Sequence, residues 1–221
     1  MSTTLSQLSD YARYRLMAKN AHGIHSPFVF NLYTNIIAAT EDYYDFGKLA
    51  KIRKKLEACN DVITIGDFGA GSRIFSSNQR KIADICRHGI SSEKYAQLLF
   101  RLVNYFAPKT IVELGTSLGL TTMYLAAPNS KSKVYTLEGS ESLVEFARKQ
   151  FGEHDYNNIE VIKGNFDEQL HILVDRLDKI DFVYIDGNHA KQPTLNYFEL
   201  ILKKCKAIST PRYVRRRCSR R

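Results

Sequence analysis

Between residues 91 and 202 the chain alternates short β-branched runs with helical repeats four times, and this rhythm constrains the fold more than any other feature. Tyr95, Leu98, Leu99, Leu102, Val103 and Phe106 recur at three- to four-residue spacing, which predicts a helix that Ser91 or Ser92 can cap and Pro108 stops. Strands are expected at 110–114, 133–137, 159–162 and 180–185, where Ile, Val, Tyr and Thr concentrate. The helices between them are expected at 120–127, 140–152 and 167–178, the second capped by Ser140 and closed by Gly152. A last helix over 193–204 would turn Leu195, Phe198, Ile201 and Leu202 inward. Strands joined by helices run parallel through right-handed crossovers, so the fold class is α/β, a doubly wound sheet.

Residues 1–60 read as helical and irregular. Ser26-Pro27 opens one helix, with Phe28, Val29, Phe30, Leu32, Ile36 and Ile37 as its apolar face, and a second is expected over 46–59. A short strand at 62–65 and a glycine loop at 67–72 follow. The charge is uneven: net +9, yet residues 203–221 hold nine of the 32 Lys and Arg and no acid, so the body is neutral. Cys59, Cys86, Cys205 and Cys218 match neither a disulfide framework nor a zinc ribbon, and reduced thiols in the cytoplasm are expected. The first ten residues are polar, and no run approaches the roughly 18–20 apolar residues of a membrane span.

Ligands of such sheets bind beyond the carboxyl ends of the strands. The first strand ends in Glu113-Leu-Gly115-Thr116-Ser117-Leu-Gly119, in which Gly115 permits a tight turn and Gly119 close packing at the next helix. A dinucleotide fingerprint would need glycine at 117 and 120, where Ser and Leu stand. A carboxylate at 113 repels a pyrophosphate and suits a cationic ligand. Glu138, 25 residues on and followed by Gly139, ends the second strand, where an acid accepts from a ribose diol or caps the helix beside Ser140. Gly164-Asn165-Phe166 offers an amide and a ring to an adenine, or is an ordinary turn. The fourth strand ends in Asp186-Gly187-Asn188-His189.

These residues resemble the class I S-adenosylmethionine-dependent methyltransferases, and within them a group of small-molecule O-methyltransferase-like proteins whose glycine loop reads ELGTSxG. The resemblance covers about 91–202 through three ordered motifs, ELGTSLG, TLEGS and FVYIDGNH, and HGIHSPFVF at 22–30 with DFGAGS at 67–72 resembles the N-terminal extension of its bacterial members. It implies S-adenosyl-L-methionine as cofactor, Glu113 bonded to its methionine amino group, and a Rossmann-like sheet in the order 3-2-1-4-5-7-6. It also implies a divalent cation such as Mg on Asp186, which would coordinate the substrate hydroxyl and lower its pKa. Where that group carries a lysine base, this chain has His189, either a proton acceptor near neutral pH or a turn residue. His25 and Lys191 are weaker candidates, Tyr43 and Tyr44 would line an acceptor pocket, and the 67–71 loop reads as structural, packing over the site.

After Leu202 the chain has no apolar run and no acid, with six Arg in its last ten residues. The fifth to seventh strands and two metal ligands of the group are therefore expected to be missing, as in a truncation or a shifted reading frame. The expected division is a helical extension over 1–90, an incomplete cofactor-binding core over 91–205 and a disordered basic tail over 206–221. The fourth strand would keep an unpaired edge open to a second copy of the chain. The function expected is methyl transfer to a hydroxyl of a small-molecule acceptor, with no specific nucleic-acid partner. The rival readings are an inactive cofactor-binding remnant and an RNA methyltransferase with a basic arm.

Overall fold

The computed structural model of the chain describes residues 2–17, 23, 25–66, 78–188 and 190–205. The 67–72 loop, His189 and the 206–221 tail thus lie outside the described residues. Packing divides the chain into two units, Met1–Asp42 and Tyr43–Arg221. The first holds helix α1 (Ser2–Met17), helix α2 (Pro27–Leu32) and a π-helical turn at Tyr33–Ile37. Ser26 caps α2 as its sequence predicts, accepting from the Val29 N–H at 3.4 Å, with Pro27 in the first turn. The expected apolar face is not buried as a whole: Phe28, Val29 and Phe30 are exposed while Ile36 is covered.

In the second unit α3 (Tyr44–Ala58), β1 (Val62–Thr64), β2 (Gln79–Lys81) and α4 (Ile82–His88) precede α5 (Glu93–Phe106). Then β3 (Thr110–Leu114), α6 (Leu120–Ala126), β4 (Lys133–Glu138) and α7 (Glu141–Glu153) alternate, followed by β5 (Ile159–Lys163), α8 (Phe166–Arg176), β6 (Phe182–Ile185) and α9 (Lys191–Leu202). The four long-range strands pair in parallel in the order β5-β4-β3-β6, the 3-2-1-4 order expected, with Ile111 opposite Val134 and Phe182. Side chains alternate across β3. Ile111 packs with Val103 of α5 and Leu125 of α6 on one face, while Val112 and Leu114 meet Leu170 and Leu173 of α8 and Ile201 of α9 on the other. The sheet is doubly wound.

Several local expectations change. Ser92 and Ser140 occupy N-cap positions, yet neither hydroxyl makes the cap hydrogen bond, and both helices begin without it. Helix α7 runs through Gly152 and ends at Glu153, with Asp155 taking the left-handed backbone (φ +63°) instead. On α9 the buried residues are Tyr197 and Ile201, whereas Leu195, Phe198 and Leu202 are exposed. β2 and α4 had no expectation, and β2 pairs antiparallel with β1 in a separate ribbon. The expected boundary near residue 90 meets no division in packing, since Leu49 and Ile52 of α3 and Ile85 of α4 share one core with Phe100, Met123 and Val144.

Among the described residues β6 pairs with β3 alone and its four side chains are half-buried. No described helix is long and apolar enough to cross a membrane.

The core beside α3 rests on one ring. Phe100 is 2% exposed, with its centroid 5.0 Å from both Tyr43 and Phe46. Phe100→Ala is expected to lose about 3–4 kcal/mol in urea unfolding, and a loss below ~1.5 kcal/mol would show that the cluster collapses onto the gap.

Candidate active site

The carboxyl ends of the four parallel strands open into one cleft of about 860 Å³, part of it facing solvent. Its wall carries Gly115, Thr116 and Ser117 after β3, Glu138 and Gly139 after β4, Asn165 and Phe166 after β5, and Asp186 after β6. Eight of the residues expected at a site are thereby brought together. The main-chain staples are short: Gly115 N–H donates to Leu137 O at 3.0 Å, Asp186 N–H to Leu114 O at 2.8 Å and Gly164 N–H to Glu138 O at 3.0 Å.

Gly115 has φ +103°, and a Cβ there would stand 2.6 Å from the Asp186 carbonyl oxygen, so both its conformation and its neighbour require glycine. Gly119 (φ +79°) does not line the cleft. It begins α6 against the Phe151 ring, 2.6 Å from where a Cβ would sit, which is the packing role its sequence predicts. Ser117 adopts the left-handed backbone (φ +50°) that a second glycine would have taken without strain. Its N–H donates to Glu138 Oε2 at 2.9 Å, which offsets that strain.

Glu138 accepts a second main-chain bond on Oε1, from Ser140 N–H at 3.0 Å. Burial pushes its pKa up, while the N–H groups of Ser140, Ser117 and Gly139 hold it down. The capping reading of this acid holds, since Ser140 at the start of α7 is one of its two donors, and Glu138 also lines the cleft. Asn165 caps α8 through Oδ1, which accepts from Asp167 N–H at 2.9 Å, so its amide NH₂ is the group left to offer a ligand. Phe166 stands edge-on to Tyr197 at 6.1 Å.

Glu113 departs from its expectation. It is fully buried under the loop and is not on the cleft wall. Its Oε2 accepts from Thr122 at 2.5 Å and Thr136 at 2.7 Å, and among the described residues Oε1 has no partner. Burial pushes its pKa up to about 8 against those two bonds, and the charges of Asp186 and Glu138 add to the rise. Its buried setting favours the neutral acid over the anion.

Asp186 is held from behind. Tyr184 OH donates to its Oδ2 at 3.0 Å and Ser91 Oγ at 3.4 Å, with Ser91 and Tyr184 themselves 2.8 Å apart. Burial foremost, with Asp186 adding, pushes the Tyr184 phenol up to about 12, so it remains a donor. Arg53 of α3 donates to the Ser91 carbonyl at 2.7 Å and fixes that residue. Among the described residues no three His, Cys, Asp or Glu side chains gather so as to hold a metal ion. With hydroxyls around Asp186 in place of further ligands, the described residues do not fit the divalent cation implied by the resemblance, and no step is derived through one.

Tyr43 packs on Phe46 and Phe100, and Tyr44 is 95% exposed, so neither lines the cleft; Lys191 is exposed at the start of α9 and His25 is exposed in the first unit. The wall is completed by residues with no earlier expectation: Ile65 and Gly66 beyond β1, Gly89 and Ile90 before α5, and Asn188 with Tyr197. Tyr197 OH accepts from Asn188 at 3.0 Å and donates to Asp167 at 2.8 Å. The one sequence signal for the Asp186 support is a tyrosine two residues before a strand-end acid, which puts both side chains on the same face.

Residues 112–210 match a family model described as a methyltransferase domain. A ribosomal RNA small subunit methyltransferase G of Fusobacterium nucleatum is 29% identical over 138 residues, which is 62% of this chain and 53% of that protein. The chain therefore spans about half the length of this curated relative. Among solved structures, an O-methyltransferase from Bacillus cereus in complex with S-adenosylhomocysteine (SAH) superposes with a TM-score of 0.50 at 21% identity, covering 79% of this chain and 66% of its own. The SAH-bound methyltransferase PaMTH1 of Podospora anserina gives 0.55 at 17% identity, covering 82% and 65%. These likenesses show the fold.

Glu113 makes stability depend on pH. Its pKa is higher in the folded chain than in the unfolded one, so its contribution is full below the ordinary carboxyl range and is lost as pH rises toward about 8. Glu113→Gln is expected to remove up to ~1.4 kcal/mol per pH unit from the slope of unfolding free energy between pH 5 and 8. Urea titrations at pH 5, 6.5 and 8 measure it, and parallel slopes in both proteins would show that Glu113 ionises normally.

Proposed function

We propose that the chain is a class I S-adenosylmethionine-dependent methyltransferase that methylates a hydroxyl of a small molecule, a reading supported by the match of residues 112–210 to a methyltransferase domain. One observation carries the reading: the strand-end residues Gly115, Thr116, Ser117, Glu138, Asn165, Phe166 and Asp186 all line a single cleft. S-adenosylmethionine, when bound, supplies an electrophilic sulfonium methyl.

The chain's own residues do the rest. Main-chain groups of the 115–117 turn and Gly139 approach the ligand without side-chain bulk. Glu138 accepts from ribose hydroxyls with the lone pairs that its two main-chain bonds leave. The Asn165 amide and the Phe166 ring hold adenine by edge and face. Asp186, its Oδ2 fixed by Tyr184 and Ser91, orients the acceptor hydroxyl and takes its proton as the nucleophile forms. His189, three residues on, is the second candidate for that proton.

The likeness to a ribosomal RNA methyltransferase supports a second reading, in which the acceptor is RNA. The described cleft wall carries no Lys, Arg or His to meet phosphates, which favours the small molecule.

Calorimetric titration with SAH tests the proposal. Micromolar binding is expected for the wild-type chain, and Glu138→Ala is expected to weaken it at least tenfold through the lost ribose bonds, about 1.4 kcal/mol or more. A folded wild-type chain that ignores SAH would overturn the reading.

A further inference from the structure

We infer that the acceptor taken by this cleft carries no negative charge, a substrate class that excludes carboxylates, phosphorylated compounds and nucleic acids. The inference rests on the methyltransferase reading above and deepens it. Two carboxylates, Glu138 and Asp186, stand on the cleft wall, and no Lys, Arg or His accompanies them among the described lining residues. Among the described residues neither acid forms an ion pair there: Glu138 is met by main-chain N–H groups, Asp186 by the neutral hydroxyls of Tyr184 and Ser91.

Asp186 cannot turn away from an unwelcome ligand, because both of its bonds land on Oδ2 from groups behind the wall, one of them anchored to Arg53. The remaining wall is apolar or uncharged, with Ile65, Ile90 and Phe166 offering surface and Asn188 and Tyr197 offering hydrogen bonds. A hydroxyl-bearing scaffold that is neutral or cationic finds contacts for each of these groups. An anion brought within about 5 Å of Asp186 meets a fixed like charge in a poorly screened cleft, enough to weaken binding tenfold or more.

Matched phenols test the inference on the SAH-saturated full chain in EDTA: 4-hydroxybenzamide, 4-(aminomethyl)phenol and 4-hydroxybenzoate, with the same three substituents repeated on catechol and naphthol rings. Dissociation constants come from ligand-observed NMR. Calorimetry on the same sample first checks SAH, so a failure of the methyltransferase reading appears there as lost cofactor binding. Given bound SAH, the carboxylates are expected to bind at least tenfold more weakly than the amides or amines. Asp186→Asn, which retains an acceptor for Tyr184, is expected to narrow that gap severalfold while still binding SAH. Carboxylates that bind as well as their amides, a gap unchanged in the variant, or no binding by any member would overturn the inference. So would carboxylate binding that appears on adding MgCl₂, since Asp186 would then act as a metal ligand.

Discussion

The close approach of two strand ends at Gly115 governs the geometry of the cleft. β3 lies between β4 and β6, and its end is stapled to both: Gly115 N–H bonds Leu137 O on one side, while Leu114 O accepts from Asp186 N–H on the other. The Asp186 carbonyl occupies the space that a side chain at 115 would need. Any larger residue must force β6 away from β3 or break the turn, and either change moves Asp186 relative to Glu138. The position of the carboxylate assigned to the acceptor thus depends on an atom that residue 115 lacks.

Drawing the strand ends together also draws three acids together, and like charges in a buried setting are unfavourable. The chain resolves this with a different device for each. Glu113, deepest, stays protonated against two threonines. Glu138 accepts from main-chain N–H groups that oppose the upward push of burial, one of them donated by the strained Ser117. Asp186, just past the end of β6, is met by two hydroxyls. Sequence alone identifies acids at strand ends. How far each is pushed toward the neutral acid depends on burial, which the sequence does not show for Glu113.

The same distinction separates what was legible from what was not. The strands at 110–114 and 133–137 could be read because β-branched runs between helical repeats have few other uses, while the strand order came from the resemblance to the methyltransferases. β2 could not be read, because Gln79-Arg80-Lys81 has no apolar alternation and exists only as a partner of β1. On α9 two stripes of equal period compete, and the tertiary setting chooses Tyr197 and Ile201 over Leu195, Phe198 and Leu202. Ser140 has the composition of a cap, but its hydroxyl accepts from Gly66 N–H at 3.3 Å, a partner far away in the chain. Ser91 precedes the cap position, which falls on Ser92, and its hydroxyl meets Tyr184 and Asp186 instead.

These diverted serines explain why residues 43–90 pack with the sheet. Ser142 donates to the Thr64 carbonyl at 2.5 Å and Ser140 accepts from Gly66, so the end of β1 is latched to the start of α7 beside Glu138. That latch sets Ile65 and Gly66 on the cleft wall. On the opposite side Arg53 holds the Ser91 carbonyl, placing Gly89 and Ile90 on the wall and the Ser91 hydroxyl against Asp186. Ser140 gives up a local cap bond, worth about 1 kcal/mol, for a bond to Gly66 that joins the early segment to the start of α7. A cleft assembled from the sheet alone would lack one wall and half of the support for Asp186. The segment before the sheet is therefore part of the cleft's construction, setting Ile65 and Ile90 on its wall beside the strand-end motifs.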